Sequence, residues 1–158
     1  MKKDKKKDKD KNVSVNRKAF HDYEILSKHE AGIVLLGTEI KAIREGRVNL
    51  KDAYIDVKSG EAVLRGAHIG QYSNASINNH EPERPRKLLL HRREINKFIQ
   101  RVMVKGVSII PLRLYFIENG RLKIEIALAK GKRSYDKKSA IKDRDIKREV
   151  NRELKNYK

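Results

Sequence analysis

Apolar and polar positions alternate through much of this chain. Leu122, Ile124, Ile126 and Leu128 alternate with Lys123, Glu125 and Ala127, the period of two that marks a half-buried strand. Residues 108–117 predict its hairpin partner. Glu118-Asn119-Gly120 lies between them, and Asn-Gly tolerates the positive φ that tight hairpin turns require. Pro111 has no N–H to give, so it predicts an edge or a bulge in its strand. A second hairpin is predicted from residues 53–57 and 62–69, joined across Lys58-Ser59-Gly60-Glu61. Upstream, a strand begins within 21–26, with Tyr23 and Ile25 on one face. A polar break at 27–30 follows, and the apolar run 31–36 fits a short buried strand.

Two segments change to helical spacing. Thr38 predicts an N-cap for a two-turn helix that turns Ile40 and Ile43 inward and ends near Arg44, with Gly46 as its stop. Residues 88–105 predict the longest helix, with Ile95, Phe98, Ile99, Val102 and Met103 on one face and Gly106 after it. Arg93, Lys97, Arg101 and Lys105 form a basic ridge on another face of that segment. Its spacing suits a solvated helix face and a phosphate contact equally. Residues 70–86 read as a long loop, a length more often functional than accidental. Five or six short strands and two helices predict a mainly β (α+β) domain. It would be a small antiparallel barrel of oligonucleotide-binding type with flanking helices.

Charge adds the tails to this picture. The 158 residues carry a formal charge of +18. Residues 1–11 hold seven Lys and three Asp, and residues 130–158 hold twelve basic and five acidic residues. Three parts follow: a disordered basic arm at 1–12, a barrel at 13–129 and a basic tail at 130–158. Ile146, Val150 and Leu154 give the tail a thin stripe at helical spacing. That predicts disorder in isolation and a helix on a partner. Such a charge calls for a polyanion.

Candidate chemistry is sparse. There is no Cys, hence no disulfide and no thiolate ligand or nucleophile, which fits a reducing cytoplasm. No apolar run approaches the ~20 residues of a membrane span. His21, His29, His68, His80 and His91 show no metal-ligand spacing, and neither a phosphate-binding glycine loop nor a nucleophile elbow occurs. Glu81 and Glu83 beside Pro82 look solvated. No metal, cofactor or catalytic set is expected, and the chain reads as a nucleic-acid binder rather than an enzyme. Tyr23, Tyr72 and Tyr135 are candidates for stacking on unpaired bases. A general or ribosomal RNA-binding protein is the alternative reading, with a small RNA-processing enzyme behind it.

Four blocks in order then resemble one family. They are Asn16-Arg17-Lys18-Ala19; Glu30-Ala31-Gly32 through Gly37-Thr38-Glu39-Ile40-Lys41 to Arg44-Glu45-Gly46; Arg84-Pro85-Arg86-Lys87-Leu88-Leu89-Leu90; and Ala129-Lys130-Gly131-Lys132 with Asp136-Lys137. The chain from residue 13 onward resembles the SsrA-binding (small protein B) family of bacterial trans-translation. The resemblance implies a body that binds the tRNA-like domain of transfer-messenger RNA. Asn16, Glu30 and Leu89 or Leu90 would be RNA contacts, with Arg17, Lys18, Arg84, Arg86 and Lys87 as basic neighbours. It also implies a tail that enters the decoding centre and vacant mRNA path of a stalled ribosome, against small-subunit rRNA. Lys130, Gly131, Lys132, Arg133, Tyr135, Asp136, Lys137 and Lys138 would make those contacts, and Ile146, Val150 and Leu154 would form the tail helix. EF-Tu would join the delivery complex, and the protein would be a cytoplasmic monomer with no cofactor. Two positions depart from the family pattern: Tyr135 replaces a frequent His, and Lys138 replaces a usual Arg, losing the planar fork.

Overall fold

The computed structural model describes residues 11–75 and 77–156. Residues 1–10, most of the expected basic arm, lie outside this set. Strand β1 (Lys11–Val15) begins within that arm, at its last two residues. Helix α1 (Arg17–Asp22) and strand β2 (Tyr23–Ile33) follow. Next come α2 (Gly37–Arg44), β3 (Val48–Asn49), β4 (Tyr54–Lys58), β5 (Glu61–Arg65) and β6 (His68–Ile69). After the 70–85 loop come β7 (Arg86–Leu89), α3 (Arg92–Val102), β8 (Val107–Phe116), β9 (Leu122–Gly131) and α4 (Ser134–Asn156).

Seven strands form one sheet in the order β1-β8-β9-β2-β7-β5-β4, and β3 pairs with β6 in a small ribbon. All described pairings are antiparallel. The sheet curls until β4 comes against β8, giving the expected barrel-like body with flanking helices. Its interior holds Leu50, Ile55, Leu64, Leu88, Ile109, Leu114, Ile124, Ile126 and Leu128, into which α3 inserts Phe98. On the outer face Ala19 of α1 covers Ile110, Leu112, Ala127 and Ala129. The alternation of β9 is therefore buried on both sides near its end, which its small alanines permit.

Several expectations need correction. The polar stretch 27–30 is no break. β2 runs through it, paired with β9 from Tyr23–Gly131 to Gly32–Lys123, with a bulge between Ile25 and Ser27. Lys28 and Glu30 point outward, whereas Ser27 and His29 are half-buried, His29 lying edge-on to Phe98; the partner strand satisfies the backbone of all four. Helix α1 has no long apolar face to announce it; Asn16 makes it by accepting the Ala19 N–H at 3.2 Å. Leu88 and Leu89 are not helical, because β7 fills the slot between β2 and β5. α3 starts only after His91, whose N–H donates to Glu94 at 3.0 Å. Its predicted C-terminal end also frays early, leaving Met103 81 % exposed. The second hairpin's return strand splits in two at Gly66 (φ 73°), where a Cβ would meet the Asp52 carbonyl at 2.8 Å. The two hairpin turns and the bulge beside Pro111 are found where expected.

One buried ion cluster ties these elements together. Glu39 of α2 and Arg86 of β7 are both fully buried. Arg86 Nε donates to Glu39 at 2.8 Å, and its other nitrogens donate to the Ala67 and Pro82 carbonyls, each at 3.0 Å. Arg84 Nη2 donates to the second Glu39 oxygen at 2.8 Å, and the Leu36 N–H reaches the same carboxylate at 2.7 Å. That last bond starts α2. Leu36 is its N-cap, and Thr38 instead donates its hydroxyl to buried His80 Nδ1 at 2.9 Å. His80 Nε2 gives its proton to the Ile69 carbonyl at 2.9 Å, which fixes this tautomer. Burial alone would raise the Glu39 carboxyl, but the hydrogen bonds from Arg84, Leu36 N–H and Arg86 outweigh it and hold it below its ordinary 4.5.

Removing one partner of a buried pair strands the other charge, at about 3–5 kcal/mol. Glu39→Gln is expected to cost that much in chemical denaturation. A depressed carboxyl stabilises the fold above its unfolded pKa, and the contribution is lost as pH falls through the folded value. Stability of the parent protein should therefore fall as pH drops below about 4.5, and that acid limb should flatten in the variant. An unchanged acid limb would assign acid sensitivity to other carboxylates.

Candidate RNA interface

β2 and β9 are paired so that Glu30 stands opposite Glu125. Like charges directly across a ladder repel, and each is drawn aside by its own partners. Arg113 Nε holds Glu125 at 3.0 Å while donating to Asn12 Oδ1 at 2.7 Å. The same guanidinium lies 4.1 Å over the Tyr115 ring. Tyr115 in turn donates its hydroxyl to Glu30, and Lys123 Nζ lies 3.8 Å from the other Glu30 oxygen. The result is an oriented carboxylate whose side chain is still 55 % exposed. It presents acceptor capacity outward.

Next to it β7 pairs Leu89 with Gly32. Leu89 is 57 % exposed, and a Cβ at Gly32 would lie 3.1 Å from the Leu89 Cβ. Glycine at 32 thus leaves room for an apolar side chain to lie beside the carboxylate. Leu90 packs partly against the interior, so Leu89 is the outward member of the pair. Glu30, Lys87, Leu89, Leu90, Arg92 and Lys123 line one groove of about 570 Å³. Glu61 and Glu94 line the same trough but are engaged with Lys87 and the His91 N–H; Glu30, an apolar platform and three cations suit base edges and 2′-hydroxyls between phosphates. Lys87 is also bonded to Glu61 at 2.9 Å, both of them exposed.

The other expected contacts are distributed elsewhere. Asn16 is buried, and its amide donates to the Leu50 and Pro111 carbonyls at 3.1 and 3.0 Å. With the α1 cap, all its polar atoms are engaged inside the protein. Arg17 and Lys18, which it positions, are exposed. They line a second groove of about 540 Å³ with Asn12, Ser14, Asn49 and Lys51, and no carboxylate. Lys18 also meets Asp52 at 2.9 Å; this hydrogen bond pushes the lysine up and the aspartate down. Arg86, expected among the RNA contacts, lies wholly inside the body, and Arg84 is bound to the same buried carboxylate. The Arg86 donors all serve Glu39 and the Ala67 and Pro82 carbonyls, which makes it scaffold, while Arg84 gives Nε and Nη2 to Glu39 with its side chain 32 % exposed.

At the tail junction the backbone of Gly131 stays in the strand, paired with Tyr23. The change of direction expected there falls at Lys132 and Arg133 instead. Lys132 N–H donates to the Asp22 carbonyl at 2.9 Å. Lys130, Arg133 and Lys138 are exposed. Tyr135, Asp136 and Lys137 fall in the first turns of α4, and their side chains lie outside the described residues. Ile146, Val150 and Leu154 are 50, 49 and 61 % exposed along α4, an apolar stripe open to a partner. Among the described residues no cluster of three or more His, Asp or Glu could hold a metal ion. No helix among them is long and apolar enough to cross a membrane.

The profile of the family described as "SmpB protein" matches residues 13–156. The chain belongs to the SmpB family. An SsrA-binding protein of Syntrophobacter fumaroxidans is 55 % identical over 140 residues, covering 89 % of this chain and 86 % of the relative. One from Thermosipho africanus is 50 % identical over 143 residues, covering 90 % and 96 %. A solved chain from the structure described as "tmRNA-SmpB: a journey to the center of the bacterial ribosome" superposes with a TM-score of 0.66 at 42 % identity, covering 81 % of this chain and 93 % of that one. In this chain the fold offers a groove centred on Glu30 and Leu89. Lys123 and Gly32 line it and Tyr115 orients Glu30, three residues to which sequence reasoning gave no role. Period-two alternation places Lys123 outward, but only the β2–β9 register shows that it meets Glu30.

Asn16→Ala would remove the α1 cap and strand two buried carbonyls, so it is expected to destabilise the protein by about 2–3 kcal/mol. Equilibrium denaturation measures this. A change within 0.5 kcal/mol, roughly the scale of an ordinary surface substitution, would show that Asn16 is not structural.

Proposed function

We propose that this chain is the RNA-binding adaptor of trans-translation. It binds the tRNA-like domain of transfer-messenger RNA and carries it to stalled ribosomes. The observation that carries this reading is the groove in which Glu30 and Leu89 stand half exposed between Lys87, Arg92 and Lys123. The names of the relatives and the ribosomal neighbour supply the RNA. Mechanistically, the cations supply affinity that is independent of sequence. The carboxylate, held in place by Tyr115, accepts from a base amino group or a 2′-hydroxyl, and Leu89 lies against an unpaired base or ribose. Asn16 acts through position: it fixes α1, so that Arg17 and Lys18 project from the body at a set place.

The tail performs the second task. Lys130, Lys132, Arg133 and Lys138 lead into α4, whose exposed stripe gains a partner in the decoding centre and vacant mRNA path, with Tyr135, Asp136 and Lys137 at its start. The adaptor acts as a monomer in the cytoplasm, joined by EF-Tu during delivery, and carries out no chemistry of its own.

Glu30→Gln and Leu89→Ala should each weaken binding of the tRNA-like domain about tenfold, the ~1.4 kcal/mol of one good contact, with stability unchanged because both side chains are half exposed. Truncation after Arg133 should spare that binding, since the sheet ends at Gly131, and should abolish tagging on stalled ribosomes. Gel-shift titration at fixed salt and an in vitro tagging assay read the two results. Loss of RNA binding on truncation would overturn this division of labour.

A further inference from the structure

Helix α3 shows two faces to solvent, and only one belongs to the groove described above. Arg92, Glu94 and Ile95 line that groove. Arg93, Lys97 and Arg101 stand roughly 100–180° around the helix axis from Arg92, at steps of about 6 Å along it. All three are exposed. Among the described residues, none has a carboxylate within ion-pair reach. The one acid on the helix, Glu94, is turned back to the His91 N–H. Cations four apart on a helix repel one another, and Arg92 and Arg93 also sit at the positive end of its dipole. The row therefore does nothing for α3, which is held by burial of Ile95 and Phe98. The field of Lys97 is felt within the body: burial first, and then Lys97, pushes the His29 imidazole down.

The row continues into a separate trough. Leu26, Ser27, Val104, Val107 and Leu128 form its floor, and Lys97, Arg101 and Lys130 its rim, around about 400 Å³. Leu26 and Val104 are more than half exposed. No carboxylate lines this trough, and its uncharged polar side chain, Ser27, is already bonded to His29 at 3.0 Å. No aromatic residue lines it either, and stacking is what holds single strands. A straight row of cations over an apolar floor fits successive phosphates, with ribose faces below them.

We propose that Arg93, Lys97, Arg101 and Lys130 form a second RNA surface, one that takes the phosphate backbone of an RNA duplex irrespective of sequence. It goes beyond the adaptor reading, which needs only the Glu30 groove and the tail. Two partners could then be held at once, a folded RNA in the groove and a duplex along α3, with the tail leaving from Lys130 between them.

The test uses the full chain and the triple variant R93Q/K97Q/R101Q, with filter binding to a short perfect RNA duplex across a salt series. Glutamine keeps helix propensity and removes the repulsion, so the variant should fold at least as well, which circular dichroism checks. Duplex affinity is expected to fall about tenfold or more at fixed salt. The slope of log K against log salt should shrink by roughly 2–3, the loss of three phosphate contacts. Affinity for the tRNA-like domain should change less than threefold. An unchanged duplex slope, or equal losses on both RNAs, overturns the proposal. So does a loss confined to anionic vesicles, which would make the face a membrane contact. Leu89→Ala measured in parallel should show the converse pattern; its failure to weaken the tRNA-like domain would count against the groove and leave the α3 surface standing.

Discussion

The arrangement depends on a carboxylate that water never reaches. Glu39 is fully buried, and its oxygens accept from Arg84, Arg86 and the Leu36 backbone. An isolated buried charge would be intolerable; this one is matched at every lone pair that geometry allows. Through it α2, the 81–85 loop, β7 and the carbonyl of Ala67 are fixed relative to one another. The Thr38–His80–Ile69 chain repeats the device nearby with neutral groups. Both clusters tie His80, Pro82 and Arg84 of the loop to the body beside β7, which carries Leu89.

The groove depends on this framework because it is assembled from residues far apart in sequence. Glu30, Leu89 and Lys123 meet only if β2 lies between β7 and β9 in register. A slip of one residue would turn Glu30 inward and Ala31 outward. The bulges at Ile25 and at Pro111 set that register locally, and the packing of Ala127 and Ala129 under α1 secures it from the other face. Affinity for RNA is electrostatic and tolerant of position, whereas a carboxylate facing a base edge is not. The fold invests its order where tolerance is least.

Much of this was legible in the sequence, and the failures have physical causes. Alternation and turn chemistry identified both hairpins, since Asn119-Gly120 and Ser59-Gly60 can only be turns; Ser59 and Gly60 do adopt positive φ. The barrel class followed. Residues 27–30 and 88–89 misled because local polarity and local apolarity were read without their partners. β9 pairs through the first, and β5 and β2 flank the second. The same blindness affected the site. Arg84, Arg86 and Asn16 have the side chains of RNA contacts, and nothing local to them announces a buried acid or two waiting carbonyls. Family resemblance names Glu30 and Leu89 or Leu90, and the pairing and exposure of β7 single out Leu89 as the outward one.

Charge separates scaffold from surface more sharply than burial does. The acids of the body are mostly engaged within it: Glu39 with two arginines, Glu125 with Arg113, Asp52 with Lys18, Asp56 with Arg65 and Glu61 with Lys87. A basic protein that pairs its acids internally leaves its excess cations at places without acids, namely the Arg17 groove, the α3 row and the tail. The tail root adjoins the α3 row through Lys130 and α1 through Lys132. In the proposed RNA complex the half-exposed Glu30 is the exception: cations accept any phosphate, whereas a carboxylate oriented by Tyr115 would discriminate which atoms lie against it.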